Sequence, residues 1–140
     1  MKKTAFLIFI VIAAACSSTN VKTADRPLYE VLTTQHDGGA NIRFYEILTE
    51  EKEIKMLQGD ENLRKKIGPN DINTSNFVIL NMGEQATENA SIKIKNVTET
   101  ADKVIITVED LNAKPYDPSI ESSYPYTIVR INSKKTIVIQ

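Results

Sequence analysis

Apolar and polar residues alternate through much of the second half of this chain, the pattern of strands with one face buried. Residues 91–97 alternate through Ile92 and Ile94, and residues 104–109 through Val104, Ile106 and Val108. The polar stretch Glu99-Thr100-Ala101-Asp102 between them predicts a hairpin turn. Residues 77–82 form a nearly continuous apolar run, as expected of a central strand covered on both faces. Residues 126–131 and 136–139 read as a last hairpin around Asn132-Ser133-Lys134. Upstream, residues 28–33 form a short β-prone run, and Gln35-His36-Asp37-Gly38-Gly39 is dense turn chemistry. Residues 42–48 then resume with Ile42 and Phe44 on one face and Tyr45 and Ile47 on the other. This stretch reads as a hairpin of two strands.

One segment departs from the period of two. Thr49 offers a helix N-cap, Glu50 and Glu51 would complement the helix dipole, and Ile54 and Leu57 recur at helical spacing. Gly59-Asp60 either ends that helix and caps a second turn carrying Leu63 and Ile67, or weakens a longer one. Gly68-Pro69 stops it in both cases. The expected fold is therefore α+β, a mainly antiparallel twisted sheet of six to eight strands with one principal helix packed on it. Ile79, Ile92, Ile94, Ile106, Val108, Ile128 and Ile137 are its expected core. Residues 111–124 carry Pro115 and Pro118 without any period and read as a long loop.

The N-terminus changes the picture from a domain to an exported domain. Lys2 and Lys3 precede an apolar stretch at residues 5–15, the length of a signal-peptide core. That stretch falls short of the roughly 20 residues needed to cross a bilayer. Ala13-Ala14-Ala15 supplies small residues at a cleavage point, directly before Cys16, the single cysteine of the chain. The junction resembles a bacterial lipobox, with Ala13 where Leu, Val or Ile is commoner. The resemblance implies that Cys16 is acylated and becomes the new N-terminus; simple secretion with a free thiol is the alternative. Two or more acyl chains hold stably where one holds marginally. The expected organisation is a signal peptide at 1–15, the lipidated Cys16 with a flexible tether to residue 27, and a single domain at 28–140. Ser17 lacks the aspartate that retains lipoproteins at the inner membrane of enteric bacteria. The outer membrane or cell surface is therefore favoured, with the inner membrane as the other site.

Charge and composition narrow the partners. Removing Lys2 and Lys3 from the 17 basic residues leaves 15 against 18 acidic ones, a net charge of about −3. This gives no footprint for nucleic acid and no polybasic patch for anionic lipid, so the lipid chain must supply the membrane contact. No disulfide can form within the chain, and about 125 mature residues suffice for one packed core.

Catalytic constellations are missing from the sequence. The one histidine, His36, sits in a Gly-rich turn with only Asp37 beside it, a poor metal or base set. Glu50, Glu51, Glu53 and the pair Asp60-Glu61 lie among lysines, as on a solvated helix face. Asn73, Asn89 and Asn96 each begin an Asn-x-Ser/Thr triplet, matches that arise by chance in a bacterial chain. The segment at residues 113–126, Ala-Lys-Pro-Tyr-Asp-Pro-Ser-Ile-Glu-Ser-Ser-Tyr-Pro-Tyr, is the least ordinary. Its prolines stiffen it and its tyrosines offer amphipathic contact area.

Gly83-Glu84-Gln85-Ala86-Thr87, Ser91-Ile92-Lys93-Ile94, residues 102–108 and Tyr124-Pro125-Tyr126 opening the strand to Ile131 together resemble the PrcB-type small lipoprotein subunits of bacterial surface protease complexes. The resemblance covers residues 77–139. Where that family usually has Gly-Gly-Tyr, this chain has Glu88-Asn89-Ala90; Asn89 tolerates left-handed geometry, but Glu88 and Ala90 supply neither that freedom nor an aromatic contact. The resemblance implies a non-catalytic binding or assembly domain, with a protease or another envelope protein as partner and no cofactor. Thr87, Glu88, Asn89, Tyr116, Ile120, Tyr124 and Tyr126 are the expected contact residues. A small ligand-binding envelope protein and a small envelope hydrolase are the alternatives.

Overall fold

A computed structural model of the chain describes residues 26–140. The expected signal peptide, Cys16 and most of the expected tether lie outside the described residues. Within them the chain runs β1 (Tyr29–Gln35), β2 (Phe44–Leu48), α1 (Glu51–Gln58), α2 (Asp71–Thr74), β3 (Asn76–Asn81), β4 (Ser91–Glu99), β5 (Lys103–Leu111), β6 (Tyr126–Ile131) and β7 (Thr136–Ile139). The fold is mostly β with few helices.

Two sheets form where one was expected. A four-stranded antiparallel sheet has the order β1-β6-β3-β2, and a three-stranded sheet has the order β4-β5-β7. Strand β3 explains the layering. Its pattern is buried at five of six positions, and its alternate side chains serve two cores. Val78 and Leu80 pack with Ile92, Val104 and Ile106 of the smaller sheet. Phe77 and Ile79 point the other way, toward Ile54, Leu63 and Ile67. The molecule is thus three layers, with the helix on one face of the larger sheet and the smaller sheet on the other. Burying a side chain such as Phe77 completely contributes roughly 2–3 kcal/mol.

The β4–β5 hairpin is as the alternation predicts, with Ile92 and Ile94 facing inward and a bulge between Ile94 and Asn96. The other two expected hairpins do not form. β1 pairs with β6 and β2 with β3, so β1 and β2 lie at opposite edges of the sheet. β6 and β7 belong to different sheets, and β7 runs parallel to β5. The turn residues between them build a crossover instead. The Lys134 ammonium donates to the carbonyls of Thr49, Ile72 and Ser75, and Asn132 bonds to Ser75 and to the Pro27 carbonyl.

Helix α1 starts one residue later than Thr49 suggests. Glu50 is the N-cap, and the Glu53 carboxylate accepts from the N–H groups of Thr49 and Glu50, both at 3.0 Å. The helix stops at Gly59, and Leu63 and Ile67 reach the core from successive turns rather than from a second helix. The short α2 was not expected. Of the expected core, Ile92, Ile94, Ile106, Ile128 and Ile137 are buried, whereas Ile79 and Val108 are half-buried at its margin. Packing already begins in the tether: Arg26 reaches Asp71 at 3.0 Å.

Candidate functional site

The chain leaving β3 turns at Gly83, whose φ of +82° suits glycine, and whose absent Cβ would meet the Arg43 nitrogen at 2.9 Å. The following segment, residues 84–90, is fastened to the long Pro/Tyr loop at many points. Gln85 and Ser123 exchange backbone hydrogen bonds of 2.9 and 2.8 Å. The Ala86 N–H donates to the Lys114 carbonyl and the Lys114 N–H to the Gln85 side chain. Ser123 Oγ donates to the Thr87 carbonyl at 2.5 Å, and Asn112 Nδ2 to the Asn89 carbonyl at 3.2 Å. The two segments singled out from the sequence are therefore one surface.

The loop's own tip is locally stiffened. The Asp117 carboxylate accepts from Ser119 N–H at 2.9 Å and Ser119 Oγ at 2.7 Å. Those bonds hold its pKa below the ordinary carboxylate value. Tyr116 is 61% exposed and Ile120 45% exposed, so neither serves the core. Thr87 is half-buried, and Glu88 and Asn89 are exposed in the turn beside them.

Tyr124 and Tyr126 have different duties. The Tyr124 hydroxyl donates to Glu84 Oε1 at 3.2 Å, and Ser122 Oγ donates to the same oxygen at 2.7 Å. Partial burial, together with the Glu84 carboxylate, pushes the Tyr124 hydroxyl above the ordinary tyrosine value, which keeps it a donor. Tyr126 opens β6 and packs against the helix-side core. Burial, then the Asp60 carboxylate, raises its pKa as well. Its ring is structural.

Sequence reasoning missed the neighbours that complete this end. A groove of about 410 Å³ is lined by His36, Asp37, Glu88, Asn89, Glu121, Ser122 and Ser123. His36 is exposed, and its Nδ1 lies 3.2 Å from the Ala90 carbonyl. Asp37 accepts from the Tyr124 N–H at 3.2 Å. Asn81, the lone polar residue within the apolar run, is buried and bonds to both backbone groups of Ala40 and to the Ile42 carbonyl. An amide interrupting a core strand was the signal available. Gly39 sits so close that a Cβ there would overlap Asn81 Oδ1 and come within 2.7 Å of the Tyr124 carbonyl. Among the described residues no group of three or more His, Cys, Asp or Glu is placed to hold a metal ion. Among them also, no helix is long and apolar enough to cross a membrane.

The departure at Glu88-Asn89-Ala90 has a structural account. Asn112 (φ 53°) is the one non-glycine residue with positive φ among the described residues, so this turn asks for no glycine. Ala90 is fully buried and belongs to the inter-sheet core, leaving no room for an aromatic ring there without repacking.

The fold and this surface define a small, β-rich domain that presents a stiffened, aromatic-bearing loop face. Residues 76–132, from the start of β3 to just past β6, match the family model described as PrcB C-terminal. The resemblance read from the sequence is thus shown, and the matched span contains both segments of the surface. No curated protein and no solved structure matches the chain.

Proposed function

We propose that this protein is an exported lipoprotein whose domain acts by protein contact, as a non-catalytic accessory subunit of an envelope protease complex. One observation carries the reading. The 84–90 turn and the Pro/Tyr loop, both inside the span matching the PrcB C-terminal family, are bonded into one face that leaves Tyr116 and Ile120 exposed. Rigid presentation of apolar area on loops is how scaffolds commonly bind partners. Stiffening also lowers the ordering entropy lost on binding. The experiment is co-purification from solubilised membranes with Tyr116 and Ile120 both changed to Ser. Capture of the partner should fall at least tenfold while the melting temperature moves by less than about 2 °C, as for surface substitutions. Normal capture would make the loop a connector.

The 410 Å³ groove favours a second reading, a small ligand-binding envelope protein. Native mass spectrometry of the membrane-purified protein separates the two. A bound polypeptide supports the first reading and a bound small molecule the second.

A further inference from the structure

The two open sheets leave four edge strands, and the described residues protect three of them. On β1 a bulge falls between Val31 and Thr33, and the Lys66 ammonium sits on the Leu32 carbonyl. On β4 the Ile92 carbonyl accepts from Thr127 Oγ1 at 2.7 Å, the Ala90 carbonyl just before the strand faces His36, and a second bulge with Lys93 and Lys95 breaks the rest. β7 has four residues, and Ile137 in it is only 7% exposed. Bulges, side-chain caps, lysines and brevity are the means by which edges are kept from pairing.

β2, one residue longer than β7, has no bulge, no lysine and, among the described residues, no side chain bonded to its outward backbone groups. The Met82 N–H donates to the Pro125 carbonyl at 2.9 Å, which fixes the even-numbered residues of β3 toward β6. In an antiparallel ladder the odd-numbered residues Phe77, Ile79 and Asn81 then bond to Leu48, Glu46 and Phe44. Tyr45 and Ile47 consequently turn their N–H and C=O groups outward, away from the sheet. Glu46 between them is exposed and has no cationic partner among the described residues.

We infer that the β2 edge is a strand-addition site for an extended segment of a partner polypeptide, with a basic residue facing Glu46. The occupant follows from chemistry. Outward backbone donors and acceptors at alternate residues are matched by another extended backbone. A second copy of this chain is disfavoured in the two-fold register that pairs Tyr45 with Ile47, because that register sets Glu46 against Glu46, and like charges directly opposite are destabilising. A Lys or Arg at that position turns the same carboxylate into an attraction. The inference rests on the reading of the domain as a protein-binding one, but on a different surface from the Tyr116 loop.

The test uses the full chain in detergent and a fluorescein-labelled octapeptide of alternating Val and Lys, read by anisotropy. Saturable binding is expected, with slowed amide exchange at Tyr45 and Ile47. Methylating the central backbone nitrogens of the peptide should weaken binding at least tenfold, since it removes the donors while keeping the charge. Glu46→Lys, an exposed change, should shift preference toward a Val/Glu octapeptide by about threefold or more. Absence of binding at millimolar peptide, equal binding of the methylated peptide, or protection at β1, β4 or β7 instead would overturn the inference. So would an unchanged preference in Glu46→Lys, or a concentration-dependent dimer by sedimentation. The Tyr116/Ile120 variant should still bind the octapeptide, so failure here and failure of the loop reading are separate results.

Discussion

Asp71 is the most buried carboxylate of the described fold, at 3% exposure. Burial alone would oppose its ionisation. The Gly68 N–H, Arg26 and Arg130 outweigh that cost and hold its pKa below the ordinary 3.8. Arg130, itself paired with Glu30 and bonded to the Lys66 carbonyl, joins β6 to β1 and to the helical layer through this carboxylate. A folded-state pKa below the unfolded one contributes stability that is present above the unfolded value and is lost as pH falls through the folded one. Asp71→Asn should therefore cost about 3 kcal/mol at pH 7, the scale for orphaning a buried charge. The gap to the native protein should begin to narrow as pH drops below 3.8 and go on narrowing until pH has fallen through the folded value. Urea unfolding at pH 7 and pH 3 should show the gap already narrowing, by about 1 kcal/mol at most at pH 3; a pH-independent gap would remove the ionised carboxylate from the account. Nothing in the local sequence, Pro69-Asn70-Asp71-Ile72, marks this residue as an ion-pair centre, since its two arginine partners are 45 and 59 positions away.

Among elements, strand locations were legible and strand partners were not. Alternation at Ile92, Ile94, Val104 and Ile106 specifies which face is buried, and the continuous run from Phe77 specifies burial on both. It is silent on which edge meets which edge. Sequence neighbours separated by turn residues suggest hairpins because most neighbours do pair. Here Gly38 and Gly39 turn the chain beneath Tyr124 and Tyr126 rather than back along β1. Asn132 to Lys135 serve side-chain and ammonium bonds in a crossover, not a tight turn. The candidate surface was legible in its two segments, since proline and tyrosine density survive in any context. The groove was not, because His36 and Asp37 arrive from the other end of the chain. The paired strands that were read correctly yield a sharp expectation. Ile106 is fully buried in β5 between its neighbours β4 and β7. Ile106→Asp would bury an unpaired carboxylate at a cost of several kcal/mol, comparable to the stability of a small domain. Far-ultraviolet circular dichroism at 25 °C should then show an unfolded chain; a native spectrum would place Ile106 outside the core.

For the molecule as a whole, the decisive expectation concerns Cys16, which lies outside the described residues. The apolar leader, the small-residue junction and the single cysteine motivate it. A clickable fatty acid fed to cells should label the native protein, and Cys16→Ala should abolish both label and membrane retention. An unlabelled native protein in the soluble fraction would exclude lipidation. Arg26 and Pro27, the first of the described residues, already bond to Asp71 and Asn132.

The pairing of β1 with β6 joins Tyr29 to Ile131 across about a hundred residues of chain. Loop-closure entropy of that size must be overcome before β1 is held, and folds dominated by such distant pairings form slowly. Emerging N-terminus first, Tyr29–Gln35 has no partner until nearly the last strand has followed. The larger sheet cannot be completed until almost the whole chain has been made, which for the exported lipoprotein proposed above is what passage through a narrow translocation channel demands. Topology, in this sense, acts as a built-in delay on folding.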